Sequence, residues 1–298
     1  MDTTLYSFLD GAIIGGDTFA FAGIDDARSA NDDDHGIVWK YKQGVWHSIE
    51  IAERLVSCAA TQHPDYRFVA IAESGRELVI GDHSLSQELV GDHQHSPENN
   101  GSLIRVCAAA DQHLYAVGAG RQVYKKASTG RWVRIDQGCY VSIDDEPKAV
   151  FTDLVSLADA SLCAVGWDGE IWLGRDRQWV EVVSPTNVAL LCAAVASDGW
   201  VCVAGASGIV LRGRDDCWHV LENSETFEDI TSIAEFKNVM YLGSASGLFR
   251  IQDNTVVPAL TGAPMASVLK LSASSKQLLA VSEKVACVFD GKNWTTLQ

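Results

Sequence analysis

Gly169-Glu170-Ile171-Trp172, followed seven residues later by Trp179, decides the fold because it recurs. Gly208-Ile209-Val210-Leu211 leads at the same interval to Trp218, and Gly36-Ile37-Val38-Trp39 leads to Trp46. Tyr124 before Trp132 and Cys287 before Trp294 extend the column, and Val256 replaces the tryptophan in one further copy. Upstream of each pair lies a β-rich run that closes on a small residue: Tyr115-Ala116-Val117-Gly118, Cys163-Ala164-Val165-Gly166, Cys202-Val203-Ala204-Gly205 and Tyr241-Leu242-Gly243. Phe19-Ala20-Phe21-Ala22-Gly23 and Val69-Ala70-Ile71-Ala72 are weaker copies. Further upstream another strand is expected to carry a small residue in one column, at Cys58, Cys107, Ser156, Cys192 and Ser232.

Seven units fit, at roughly 3-52, 54-91, 103-136, 150-183, 190-222, 229-260 and 267-298, all within a single domain, 1-298. A period of about 40 residues with four short strands per unit is that of a β-propeller blade. The second strands are apolar on both faces, as Leu162-Cys163-Ala164-Val165 shows, which suits a sheet sandwiched between two neighbours. A helical solenoid of similar period is excluded by the short, β-branched, Gly-punctuated runs. The expected fold is all-β: a seven-bladed β-propeller with four antiparallel strands per blade. The last unit holds all four of its strands, so the ring is expected to shut by packing between the first and last blades alone.

The repeat resembles the β-propeller families of the WD40-like, YVTN-like and Asp-box kind over nearly the whole chain, in degenerate form and without a match to one specific family. Ser128-Thr129-Gly130-Arg131-Trp132 and Asp290-Gly291-Lys292-Asn293-Trp294 look like altered Asp boxes. The Trp-Asp dipeptide Trp167-Asp168 departs from the WD40 pattern, since it falls in a turn between strands rather than at a strand end.

The formal net charge is -16, and residues 1-100 alone carry 17 acids against 6 bases. Such a surface repels a phosphate backbone, which argues against nucleic acid as a direct partner. The first ten residues hold two acids and no base, and no apolar run reaches the length of a spanning helix, so a cytoplasmic protein without a membrane partner is expected. Irregular insertions are confined to 24-36, 91-102 and 137-149. The first holds Asp25, Asp26, Asp32, Asp33 and Asp34, and the last Asp144, Asp145 and Glu146. These eight acids are either a solvated surface or a landing site for a basic protein, since clustered charge speeds association even where it adds little affinity.

Signals for chemistry are sparse. The eight cysteines form no Cys-x-x-Cys pair and sit among Ala, Val and Ser, as small buried hydrophobes do. His83, His93 and His95, with Asp82 and Asp92, form the only histidine cluster, and they read either as metal ligands or as a polar insertion. Asp32-Asp33-Asp34 lacks the later bidentate acid of a calcium loop. No metal or cofactor is therefore expected. Arg105, Asp153, Asp229 and Lys270 stand on or beside expected inner strands and could line the axis, with Asp153 and Asp229 at matching positions.

The leading expectation is a non-catalytic, acidic propeller that binds a basic protein, with neutralisation of a bacterial toxin or effector by an immunity protein as its most concrete form. An adaptor or assembly factor, and a glycoside-active hydrolase or lyase using Asp153 and Asp229 at the axis, are the alternatives.

Overall fold

The computed structural model describes residues 4–61, 67–80, 85–91, 97–109, 111, 113–127, 130–259 and 262–297. Its strands form seven separate sheets, each of four antiparallel strands paired in chain order. The innermost strands are Tyr6–Gly15, Leu55–Thr61, Leu103–Ala108, Phe151–Ser156, Leu190–Val195, Ile230–Phe236 and Lys270–Ala273. The second strands Leu114–Gly118, Leu162–Gly166 and Val201–Gly205 are buried at every residue, as expected for sheets covered on both faces.

The repeated tryptophans occupy the outer strands. Trp179 lies across Gly174, where an added Cβ would come within 2.8 Å of the indole, and Trp218 lies across Gly213 in the same way at 2.2 Å. Their wide rings fill the open end of these two wedges. The small residue that closes the second strand has a separate cause: a Cβ at Gly118, Gly166 or Gly205 would sit 2.3, 2.2 or 2.1 Å from a carbonyl oxygen at the start of the same blade's inner strand. Contact with backbone leaves no room for a methyl group.

Because the strands alternate in direction, the second-to-third turn and the blade-to-blade connection emerge on one side of the ring, called here the loop face. The remaining two turns emerge on the other, the turn face. Insertions 24-36 and 137-149 and the described part of 91-102 belong to the loop face, the first as a second-to-third turn of blade 1 and the others as blade-to-blade connections.

The last blade draws all four strands from its own segment, Lys270–Ala273, Leu278–Val281, Ala286–Phe289 and Trp294–Thr296. The seam nevertheless uses more than packing. The Phe8 amide donates to Glu283 O at 2.8 Å, and Ile13 N to Ser272 Oγ at 3.2 Å. Lys284 reaches Tyr6 O and Ser7 Oγ and pairs with Asp26, while Ser7 Oγ donates to Asp26 at 2.6 Å. These contacts form a polar clasp between the first and last blades.

All eight cysteines are free; six are buried, Cys107 is half-buried, and Cys217 is exposed on an outer strand. Burial, with a smaller contribution from Asp153, pushes the thiols of Cys163 and Cys192 up to about 12. A thiol reagent added to the native protein is expected to consume one cysteine rapidly and all eight after denaturation. Several fast thiols in the native state would mean that the blades separate readily.

Candidate functional site

Pairing with the second strand aligns the inner strands and places one equivalent residue per blade around the axis: Asp10, Ser57, Arg105, Asp153, Cys192, Ser232 and Lys270. In the first six blades a register shift falls just before this residue, so the strand bulges there. The column of small residues expected from sequence is corrected accordingly. Cys192 and Ser232 hold the position, but Cys58, Cys107 and Ser156 lie one, two and three residues beyond it, so small residues do not mark one register position across the blades.

The position locks neighbouring blades together. Asp10 accepts hydrogen bonds from Gly11 N at 2.7 Å and, in the next blade, from Cys58 N at 2.9 Å and Ser57 Oγ at 3.0 Å. Asp153 accepts from Leu154 N and, in the next blade, Ala193 N, both at 2.9 Å, and from the Cys107 thiol at 3.2 Å. Ser232 Oγ likewise accepts from Leu271 N at 2.9 Å. Lys270 pairs with Asp10 at 3.2 Å, and Arg105 stands 3.9 Å from Asp10 and 3.5 Å from Asp153. Burial alone would raise the Asp10 carboxyl, but Lys270, Arg105 and the two amides hold it below its ordinary value. Burial likewise works against the Arg105 charge, and Asp153 and Asp10 outweigh it, so its pKa is raised. The group is a compensated ionic network around an axial channel of about 630 Å³.

Sequence reading placed Arg105, Asp153 and Lys270 at the axis and missed Asp10, a single acid in an otherwise apolar run that is identifiable only by counting from the second strand. Asp229 does not match Asp153. It precedes the inner strand Ile230–Phe236 and accepts from Ser207 N at 2.9 Å on the loop face. The hydrolase pair Asp153 and Asp229 is therefore not assembled.

The eight candidate acids all lie on the loop face, in two sectors of the ring. Asp25 caps the single helical turn Asp26–Ser29 by accepting from Ala27 N and Arg28 N. Asp26 belongs to the seam, Asp33 pairs with Arg28 at 2.7 Å, and Asp34 stands 3.6 Å from Arg54. Glu146 pairs with Arg121 at 2.6 Å, and Arg121 also grips Glu170, tying the 137-149 insertion to blade 4. Asp32, Asp144 and Asp145 are exposed and form no ion pair with any described residue. Among the described residues, the connections of the loop face carry 18 acids and 5 bases against 9 and 5 on the turn face. The histidine cluster His83, His93 and His95 lies outside the described residues.

Exposed large hydrophobic side chains follow the same asymmetry. Among the described residues, Leu5, Tyr140, Trp167, Val183 and Phe227 sit in loop-face connections or at the first strand's entrance, whereas Val45 alone borders a turn-face connection. Phe227, 79% exposed, is displayed by a braced loop in which the Asn223 amide donates to Gly208 O at 2.7 Å and Thr226 O at 3.1 Å. Trp167, 42% exposed, occupies the turn position held by Ala206 in the next blade. Both rings are held out by short, internally bonded turns.

No family model matches the chain. Among curated proteins it is similar to one of Pseudomonas aeruginosa called Immune protein Tsi7, 26% identical over 299 residues, covering 98% of this chain and 97% of that protein. Among solved structures it is similar to the WD40 β-propeller domain of Doa1, with a TM-score of 0.70 at 12% identity, covering 97% and 94% of the two chains. Sqt1 of Chaetomium thermophilum, bound to the N-terminus of the ribosomal protein L10, matches with a TM-score of 0.65 at 16% identity over 96% and 85%. YCF48 bound to D1 peptide matches with 0.66 at 15% identity over 94% and 91%. The repeat, the seven four-stranded sheets and these likenesses together show the fold of the chain: a seven-bladed β-propeller with four antiparallel strands per blade.

Proposed function

We propose that this protein is a non-catalytic, cytoplasmic immunity protein that binds a bacterial toxin or effector through its loop face, the contact surface of that partner being basic. One observation carries the reading: insertions, excess acids and exposed large hydrophobic side chains all concentrate on the same side of a rigid ring. Recognition usually resides on loops held by a stiff scaffold, and apolar anchors among charges are the composition of a protein-binding surface. The full-length likeness to a protein named as an immune protein supports the same class. Hydrolysis at the axis is disfavoured because a general acid needs a raised pKa, whereas the Asp10 carboxyl is lowered and both Asp153 oxygens hold backbone amides.

Capture from the native cytosol at low salt, followed by mass spectrometry and kinetics with the recovered protein, tests this reading. Asp32→Lys with Asp144→Lys and Asp145→Lys breaks no ion pair among the described residues and is expected to slow association about tenfold or more. The same reversal on the turn face, at Asp215, Asp216 and Asp253, is expected to leave the rate within about twofold. Equal effects from both sets, or an association rate indifferent to ionic strength, would remove the proposal.

A further inference from the structure

The axial channel has a chemistry opposite to that of the outer surface. Asp10, which stands against both cations, is only 3% exposed and lies behind the channel wall, with its oxygens held by Gly11 N, Cys58 N and Ser57 Oγ. Arg105 and Lys270 line the lumen, their side chains 16% and 17% exposed. Asp153 also reaches the wall, but its oxygens accept from Leu154 N, Ala193 N and Cys107.

Arg105 is the decisive group. A guanidinium carries five N–H donors in a planar fork. This one approaches carboxylates only at 3.5 and 3.9 Å and makes no hydrogen bond to any described residue. Its donors therefore face a space of about 630 Å³, within the usual size range of small-ligand sites. Lys270 stands against the same Asp10 carboxylate, so both cations flank one stretch of the lumen.

We infer that the channel is an anion site in which Arg105 and Lys270 clamp a carboxylate or phosphate group. Arg105 supplies the forked, bidentate contact and Lys270 a point charge beside it. The two side chains are largely buried in the wall, so these contacts are screened less than the same pair on the surface. Asp10 and Asp153 balance the two cations before ligand arrives, which keeps the site folded when it is free. The inference is independent of the loop-face reading, because it uses neither its loops nor its acids.

The test titrates protein labelled with ¹⁵N-arginine and reads the side-chain Nε–H signals. Citrate and inorganic phosphate are the probes, with chloride at matched ionic strength as the control. A hexapeptide with a free C-terminal carboxylate and its C-terminal amide form the second arm. One arginine signal is expected to shift saturably with at least one anion and not with chloride or the amide, and to be missing from Arg105→Lys. In Lys270→Gln the affinity is expected to fall about tenfold, the effect of losing one charge-assisted contact. Saturation by citrate or phosphate alone identifies a free small anion. Saturation by the peptide acid alone identifies a carboxylate borne by a partner. No saturable shift with any probe, a shift that persists in Arg105→Lys, or undiminished affinity in Lys270→Gln would overturn the assignment. Because signals and affinity are read in folded wild type, Arg105→Lys and Lys270→Gln, an unstable Arg105→Gln variant is not required.

Discussion

Asp10→Ala is expected to lower the unfolding free energy by about 3–5 kcal/mol, the range for removing one partner from a buried ion pair. The substitution orphans the amides of Gly11 and Cys58, leaves the Ser57 hydroxyl without its acceptor, and strips Lys270 of its ion pair. It also breaks the link from blade 1 to blade 2 at the axis. The effect carries a pH signature. Because the folded-state pKa of Asp10 lies below its ordinary value of 3.8, its stabilisation is full above about pH 4 and is lost as pH falls through the folded value. Urea unfolding of wild type and Asp10→Asn at pH 7 and near pH 3 checks this: the gap is expected to be large at neutrality and to shrink in acid. Midpoints that coincide at pH 7 would show that the axial network holds nothing together.

Phe227→Ala and Trp167→Ala are each expected to weaken partner binding about thirtyfold, corresponding to about 2 kcal/mol for a hot-spot side chain. Both rings are already exposed, so truncation leaves no cavity in the fold and the unfolding midpoint stays put. The loss belongs in the dissociation rate, because an anchor acts after encounter, whereas reversal of Asp32, Asp144 and Asp145 acts on the association rate. Separate measurement of the two rates with the captured partner distinguishes anchors from steering charges. Affinity within twofold of wild type for both alanine variants would move the interface away from blades 4 to 6.

The blades were legible because their causes are local. A tryptophan that lies across Gly174 or Gly213, and a glycine that must clear a carbonyl at Gly118, Gly166 or Gly205, are set by contacts within one blade and so repeat between blades as sequence. The acidic loop around Asp32 was legible too, since a run without apolar period cannot enter a core. Its internal division was not. Asp25 became a helix cap, Asp26 a seam contact and Asp33 the partner of Arg28, all through residues that chain order does not reveal. The axial column was misjudged because it was aligned on residue size, whereas pairing with the second strand puts residues as different as Asp10, Ser57, Arg105 and Lys270 at the equivalent position.

By itself, the order of residues determined the ring: short strands with apolar runs on both faces and turn residues at regular intervals can bury themselves only against copies of their own kind. Which residues meet around the axis, and which side of the ring carries the acids and exposed aromatics, was decided only by closure. Asp10 meets Arg105 two blades away and Lys270 across the seam because seven wedges complete a circle. The insertions share one face because alternating strand direction returns every such connection to the same side. Repetition is a property of neighbouring residues, whereas a site on a ring is a property of the angle between its units, and that angle exists only once all seven are packed.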